Sequence, residues 1–311
     1  MNARSRVIPN PGTGGGWRIT SACLTERFRR ALATTIAMFA IVSALAASAS
    51  AQQRPLVTED PETVSEGQVL VEAGFDYQHD IEFPFSGLTG NLLRVPLVGT
   101  SIGVGSRTEI QVDGGLFNRL SITERTPAPP SESLDVTGDS TSSIQDLLVG
   151  AKIRLVTEGA SRPGFGVRFA TKLPLASSEN GLGLDTTDFY TSFLAAKTVQ
   201  SVRIVVNFGL GILTDPTVGD SQNNVLTYGG SFARAMTTAT EVVGEINGRA
   251  DLSGDDPPPG TESRGVFRIG LRHTRGTVRV DGALLFGITR SDPTFGVAAG
   301  LTYVFNAFQV P

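Results

Sequence analysis

The chain has 311 residues, a net charge of −4, 18% charged and 40% hydrophobic residues. Its 36 glycines and single cysteine fit β-structure better than a helical enzyme and exclude a disulfide framework or a cysteine-based metal site. The acidic balance argues against nucleic acid as a partner, because such binders carry a basic face.

Residues 1–51 read as a cleaved signal peptide. Arg27, Arg29 and Arg30 form a basic region, Ala31 to Ala46 an apolar one, and Ala47-Ser48-Ala49-Ser50-Ala51 a small-x-small site cut after Ala51. The apolar run, about 16 residues, is shorter than the ~20 of a spanning helix. Six Arg and Glu26 leave with this segment, taking Cys23 and making the remaining chain more acidic. Residues 52–67 then read as a periplasmic N-terminal extension, and residues 68–311 as a barrel.

From Gln68 onward the recurring feature is period-two alternation, the mark of a strand with two unlike faces. Val69, Val71, Ala73, Phe75 and Tyr77 alternate with Leu70, Glu72, Gly74, Asp76 and Gln78. The pattern predicts about twelve strands, near 68–79, 91–104, 108–119, 144–156, 163–175, 187–198, 202–213, 223–235, 238–250, 263–273, 277–288 and 294–305. Most are long enough to cross a bilayer at a tilt. Connections alternate between short ones (near 105–107, 157–162, 199–201, 236–237 and 274–276) and longer ones. The longer ones fall near 80–90, 120–143, 176–186, 214–222, 251–262 and 289–293. This predicts an all-β fold, an antiparallel transmembrane β-barrel with short periplasmic turns and longer extracellular loops. The outer membrane, with its lipid as the surrounding partner, is the expected location.

With the apolar face turned to lipid, the opposite face lines the lumen. It collects Glu72, Asp76, Arg94, Glu109, Asp113, Asp146, Lys152, Arg154, Arg168 and Lys172, then Arg203, Glu241, Glu245, Arg249, Arg268, Arg272, Arg279 and Asp281. Two readings stay open. Early-strand acids pair with middle- and late-strand bases across the lumen and brace the wall, or the Arg and Lys stripe forms a conduit for anionic or polar aromatic solutes.

Enzymatic signals are weak. His79 and His273 fall at opposite ends of the barrel, and no Gly-x-Ser-x-Gly occurs. The acidic stretches Asp135–Asp139 and Asp251–Asp256 lack the ordered spacing of a calcium loop. Gly103-x-Gly105 and Gly209-x-Gly211 have no helix after them, so a dinucleotide site fails. No cofactor is expected.

The ending Leu301-Thr302-Tyr303-Val304-Phe305 resembles the terminal aromatic signal read by the barrel-assembly machinery, which that resemblance implies as a partner during insertion. Either Phe305 or Phe308 plays the last aromatic.

Several segments together resemble the family of outer-membrane barrels called "MetA-pathway of phenol degradation". They are Ile144-Gln145-Asp146-Leu147-Leu148-Val149-Gly150-Ala151-Lys152, and Pro163-Gly164-Phe165-Gly166-Val167-Arg168 leading to Lys172-Leu173-Pro174. The others are Gly181-Leu182-Gly183 with Thr187-Asp188-Phe189, Glu245-Ile246-Asn247-Gly248, and Gly300-Leu301-Thr302-Tyr303-Val304-Phe305. Where the family commonly reads Leu-Pro-Thr-Gly, this chain reads Leu173-Pro174-Leu175-Ala176. The resemblance implies an outer-membrane transporter of small-molecule solutes, aromatic or hydrophobic ones included. The expected function is a non-enzymatic channel for passive passage. The alternatives are a structural or surface-interaction barrel and, least favoured, a barrel hydrolase.

Overall fold

The computed structural model describes residues 54–130, 133–254 and 256–308; the segment read as a signal peptide lies outside them. Fourteen strand segments follow one another. They are β1 (Gln68–Phe83), β2 (Leu88–Gly105), β3 (Thr108–Gly115), β4 (Asn118–Arg125), β5 (Ser140–Ser143), β6 (Leu147–Val156) and β7 (Gly164–Leu173). The rest are β8 (Asp188–Val199), β9 (Val202–Thr214), β10 (Gln222–Ala235), β11 (Thr240–Asp251), β12 (Arg264–Arg275), β13 (Val278–Gly287) and β14 (Phe295–Asn306).

All pairings are antiparallel, and β1 pairs with both β2 and β14, so the sheet closes on itself. β3 and β4 are two halves of one stave, pairing in turn with the lower and upper parts of β2; β5 and β6 likewise form one stave beside them. The result is a closed antiparallel barrel of twelve staves. Closure removes the sheet edges that a membrane cannot tolerate. The break within the third stave lies beside Pro96, which has no N–H to donate. There Val95 N–H donates to Phe117 O, and Leu116 N–H to Pro96 O.

Cross-strand register separates the faces. One row runs Ile110, Ala151, Phe169, Thr191, Leu210, Leu226. Phe169 and Leu210 in it are about half exposed. The adjacent row runs Glu109, Lys152, Arg168, Ser192, Gly209, Thr227, and there Glu109 and Lys152 are fully buried. The barrel is thus apolar outside and polar inside, the inverse of a soluble protein and the order a lipid surround imposes. Outward aromatics gather at both rims: Phe267 with Phe286 and Phe295 at one, Tyr303 with Phe305 at the other.

Five connections are short, some of only two residues. Gly276 begins one with φ +62°, the left-handed conformation that a two-residue hairpin turn requires. At the opposite rim two expected loops shrink. The anticipated 80–90 loop is only residues 84–87, because β1 bulges near Asp80 (φ +58°) and continues paired to β2. The anticipated 120–143 loop narrows to 126–139. β4 and β5 extend the wall there, and Leu120 is buried inside with Ile81, Leu88 and Leu92. Phe305 is the last outward aromatic of β14, and Phe308 lies beyond the strand.

A charge on the outer row faces hydrocarbon. Leu210→Arg is expected to destabilise the barrel in lipid vesicles by ~2–4 kcal/mol, measured by denaturant titration, while Val218→Arg in a loop changes little.

Candidate functional site: the occupied lumen

Residues 54–66 run along the inner wall of the barrel. Gly67 makes the reversal. Its φ of +77° is open to glycine, and a Cβ there would meet Phe308 O at 2.3 Å. Its N–H donates to Gly103 O, while Ala307 N–H donates to Gly67 O. From this turn the chain folds back as a strap that crosses the lumen. The reason is charge: the strap carries Glu59, Asp60 and Glu62, and the wall facing them carries an excess of bases.

Lys152 is the centre of this network. Its Nζ lies 2.9 Å from Glu109 Oε1 and 3.2 Å from Glu59 Oε2. Arg168 Nε lies 3.1 Å from Glu59 Oε1 and donates to Gln111 Oε1, with Asp113 at 4.0 Å. Arg203 donates through two nitrogens to the Asp60 carboxylate, and Arg154 pairs with Glu62. Wall carboxylates in turn hold strap amides. Glu245 accepts from the N–H groups of Val57 and Thr58, and Glu109 from Val64 N–H. Further along, Arg54 N–H reaches Glu72, which also accepts from the Thr302 hydroxyl.

The remaining sequence-selected residues also sit on the inner face, where they pair mostly with adjacent staves. Asp76 takes Arg94, Glu245 takes Arg268 at 2.6 Å, and Glu241 takes Arg272 at 2.6 Å. Lys172 bridges Asp188 at 2.8 Å and Asp146 at 3.5 Å. Arg249 donates to the Glu262 and Gly260 carbonyls of the 252–263 loop. Arg279 donates to the Thr274 hydroxyl. Asp281 lies beside Gly300 and Arg54, with both carboxylate oxygens buried and without a hydrogen bond. Direct pairing of early acids with late bases across the lumen is therefore not the arrangement: the wall's ion pairs join neighbouring staves or reach past a single one, and the strap does the bridging. The strap acids, Asp188 and Glu158 were missed by the sequence reading. A cluster of three acids just ahead of the first strand, facing a surplus of lumen bases, was the available signal.

Between the strap and the 174–187 loop lies a cavity of about 480 Å³, within the ~300–1,000 Å³ range of small-molecule sites. The loop is drawn to the rim by Asp146, which accepts from Leu175 and Ala176 N–H, and by Ser86, which donates to Gly181 O. The lining mixes apolar side chains (Phe83, Leu92, Leu148, Leu182) with amides and hydroxyls. The two histidines are elsewhere. His79 packs on Phe295 with ring centroids 4.8 Å apart, and His273 meets the Thr240 hydroxyl at 2.9 Å. By strand alternation both lie on the outer face, at opposite rims. Among the described residues no cluster of His, Cys, Asp and Glu is arranged to hold a metal.

No protein-family model matches the chain, and no curated protein matches it. Solved structures similar to it are outer-membrane barrels. The translocator domain of the autotransporter NalP from Neisseria meningitidis is 12% identical, over 87% of this chain and 96% of that one, with a TM-score of 0.45. The NanC porin is 11% identical, over 78% and 100%, at 0.43. A deletion mutant of TodX, a monoaromatic hydrocarbon channel, is 10% identical, over 78% and 91%, at 0.42.

Removing one partner of a buried pair leaves an uncompensated charge. Lys152→Met is expected to destabilise the barrel by ~3–5 kcal/mol, and adding Glu109→Gln to recover part of the loss, as read from denaturant midpoints. At the short-turn rim, burial works to raise the pKa of Glu158, but hydrogen bonds from Thr198 N–H, Arg203 and Lys197 outweigh it and hold the carboxyl below its ordinary value. Its stabilisation is therefore complete above the unfolded-state pKa, about 4.3, and is lost as pH falls through the lower folded value. Protection of the Thr198 amide, its exchange rate taken against the intrinsic rate at each pH, should fall over that acidic interval in the wild type, and Glu158→Gln should remove that change.

Proposed function

We propose that the protein is an outer-membrane channel for the passive passage of small solutes, and that it belongs with the phenol-degradation family of barrels that its strand motifs resemble. Aromatic or hydrophobic compounds are the solute class that this resemblance implies. The observation that supports a channel is a cavity of about 480 Å³ inside a lipid-facing barrel, lined by polar and apolar groups together. In this reading the signal peptide delivers the chain across the inner membrane, the barrel-assembly machinery inserts it, and both termini and the short turns face the periplasm.

The strap gives the second reading its specific support. A lumen crossed by residues 54–66 and closed by ion pairs also suits a sealed barrel that works through its outer loops, chiefly 126–139.

The two readings diverge on one measurement. Glu59→Gln, Asp60→Asn and Glu62→Gln together remove the strap's charge. In planar bilayers the wild type is expected to show low conductance and the triple variant a clearly higher one, with matching gains in liposome swelling by small solutes. If both remain sealed, the channel reading falls; loss of a surface partner on deleting 126–139, with permeability unchanged, would establish the other.

A further inference from the structure

The inner face of the barrel carries charges through its middle, but at the long-loop rim it turns apolar. Ile81, Leu88, Leu92 and Leu120 form a buried cluster there, with Phe83 and Ile122 packed against it. Apolar wall at a watery mouth needs a cover, because its exposure is unfavourable. Leu182, brought in by the 174–187 loop, packs on this cluster.

The loop is built as a stiff flap. Gly183 N–H donates to Ser177 O at 3.2 Å, Gly181 N–H to Ser178 O at 2.9 Å, and Ser178 N–H to the Asp185 carboxylate at 3.2 Å. These bonds tie residues 177–185 to one another. The roots of the flap are held where it leaves the wall: Asp146 accepts from Leu175 and Ala176 N–H, and Lys172 Nζ lies 3.3 Å from the Thr186 hydroxyl. The tip reaches past the β5/β6 and β3/β4 staves to the turn between β1 and β2. Ser86 Oγ donates to Gly181 O and Thr141 Oγ1 to Asn180 O, each at 2.8 Å, and Asp135 N–H donates to Glu179 O at 2.9 Å. Gly181, with φ +74°, lets the backbone lie against Leu88, where a Cβ would come within 2.6 Å of Cδ1.

Root and tip are held by different forces. At the root, Lys172 pairs with Asp188 and Asp146. Among the described residues no ion pair holds the tip. It depends on hydrogen bonds between neutral groups, each worth little net because water replaces them on opening, and on the burial of one leucine. Leu182 also lines the cavity, together with Phe83 and Leu92 of its seat. Withdrawing the tip therefore uncovers the cavity from outside while the root and the strap stay in place.

We propose that the 174–187 loop is the outer gate of the cavity, hinged at its roots and latched by Leu182 in the apolar cluster. The gate deepens the reading of the lumen as a solute path and rests on it for its biological sense.

The test is the rate at which N-ethylmaleimide alkylates a cysteine placed inside. The full chain carries Cys23→Ser, which removes its one cysteine, and Ser192→Cys, at a partly exposed position of the cavity lining. Labelling of the barrel in detergent micelles is followed by mass spectrometry, and circular dichroism melting checks that each variant is folded. Leu182→Ser is expected to speed labelling about tenfold or more, the effect of losing one buried leucine. Leu182→Met keeps an apolar tip and should stay within about twofold of the parent. Ser86→Ala with Thr141→Val removes two hydrogen bonds of the tip and leaves Leu182 in place; it should speed labelling about threefold or more. The gate is overturned if folded Leu182→Ser labels at the parent rate, if Leu182→Met labels as fast as Leu182→Ser, or if the double variant labels no faster than the parent. Labelling reads entry to the cavity, whereas conductance reads passage beyond the strap. Faster labelling in a barrel sealed to current keeps the gate and loses the channel; current through the strap variant, with labelling unmoved by Leu182→Ser, keeps the channel and loses the gate.

Discussion

Positive charge enclosed in an apolar-coated barrel is the constraint on which the rest of the structure depends. Lipid outside forces the polar half of every strand inward, and on β6, β7 and β9 that half carries Lys152, Arg154, Arg168 and Arg203. The wall acids beside them, Glu109, Asp113 and Glu158, are fewer than these bases. Twelve staves also enclose more space than their own side chains fill. The strap answers both demands at once, because Glu59, Asp60 and Glu62 bring acid to the bases while the backbone of residues 54–66 occupies the lumen.

The way the strap is held matters for what the barrel does. Its attachment is chiefly polar: ion pairs to the wall, and strap N–H groups donated to Glu245 and Glu109. Two small buried apolar clusters also join it to the wall, Leu56 with Ala233 and Val243, and Val64 with Leu70 and Val304. Ion pairs are directional and depend on both partners, so the strap is fixed in register without being part of a large hydrophobic core. The cavity owes its floor to the strap and its cover to the 174–187 loop. Its chemistry is set by the same neutralisation: with Arg94, Arg168 and Lys172 already paired, the groups left to meet a solute are neutral amides, hydroxyls and hydrocarbon.

The strands were legible because alternation is a local property. Ile110, Phe169 and Leu210 announce an outer face, and Glu109, Lys152 and Arg168 an inner one, whatever the chain does elsewhere. The residues chosen as lumen-facing are on the inner wall for that reason. The strand ends were less legible where register outlasts hydrophobic pattern. Asp80 to Phe83 reads as the start of a loop, yet β1 continues through it past a bulge; Ser140 to Ser143 has no apolar signature and is a strand because β4 pairs with it. The partners of the lining residues were not legible at all, since Glu59 and Lys152 are separated by most of a hundred residues of intervening wall.

The sequence by itself determined a closed, antiparallel, twelve-stave barrel with an apolar outside and a charged inside, because period-two alternation and strand length follow from side-chain order alone. Only the tertiary structure decided that the segment before the first strand turns inward at Gly67 and that its acids, rather than acids across the lumen, satisfy the bases. It also decided that a cavity remains between the strap and the 174–187 loop. These outcomes depend on which non-local groups meet once the sheet closes, and charge neutralisation in an enclosed space is a property of the whole ring, not of any strand in it.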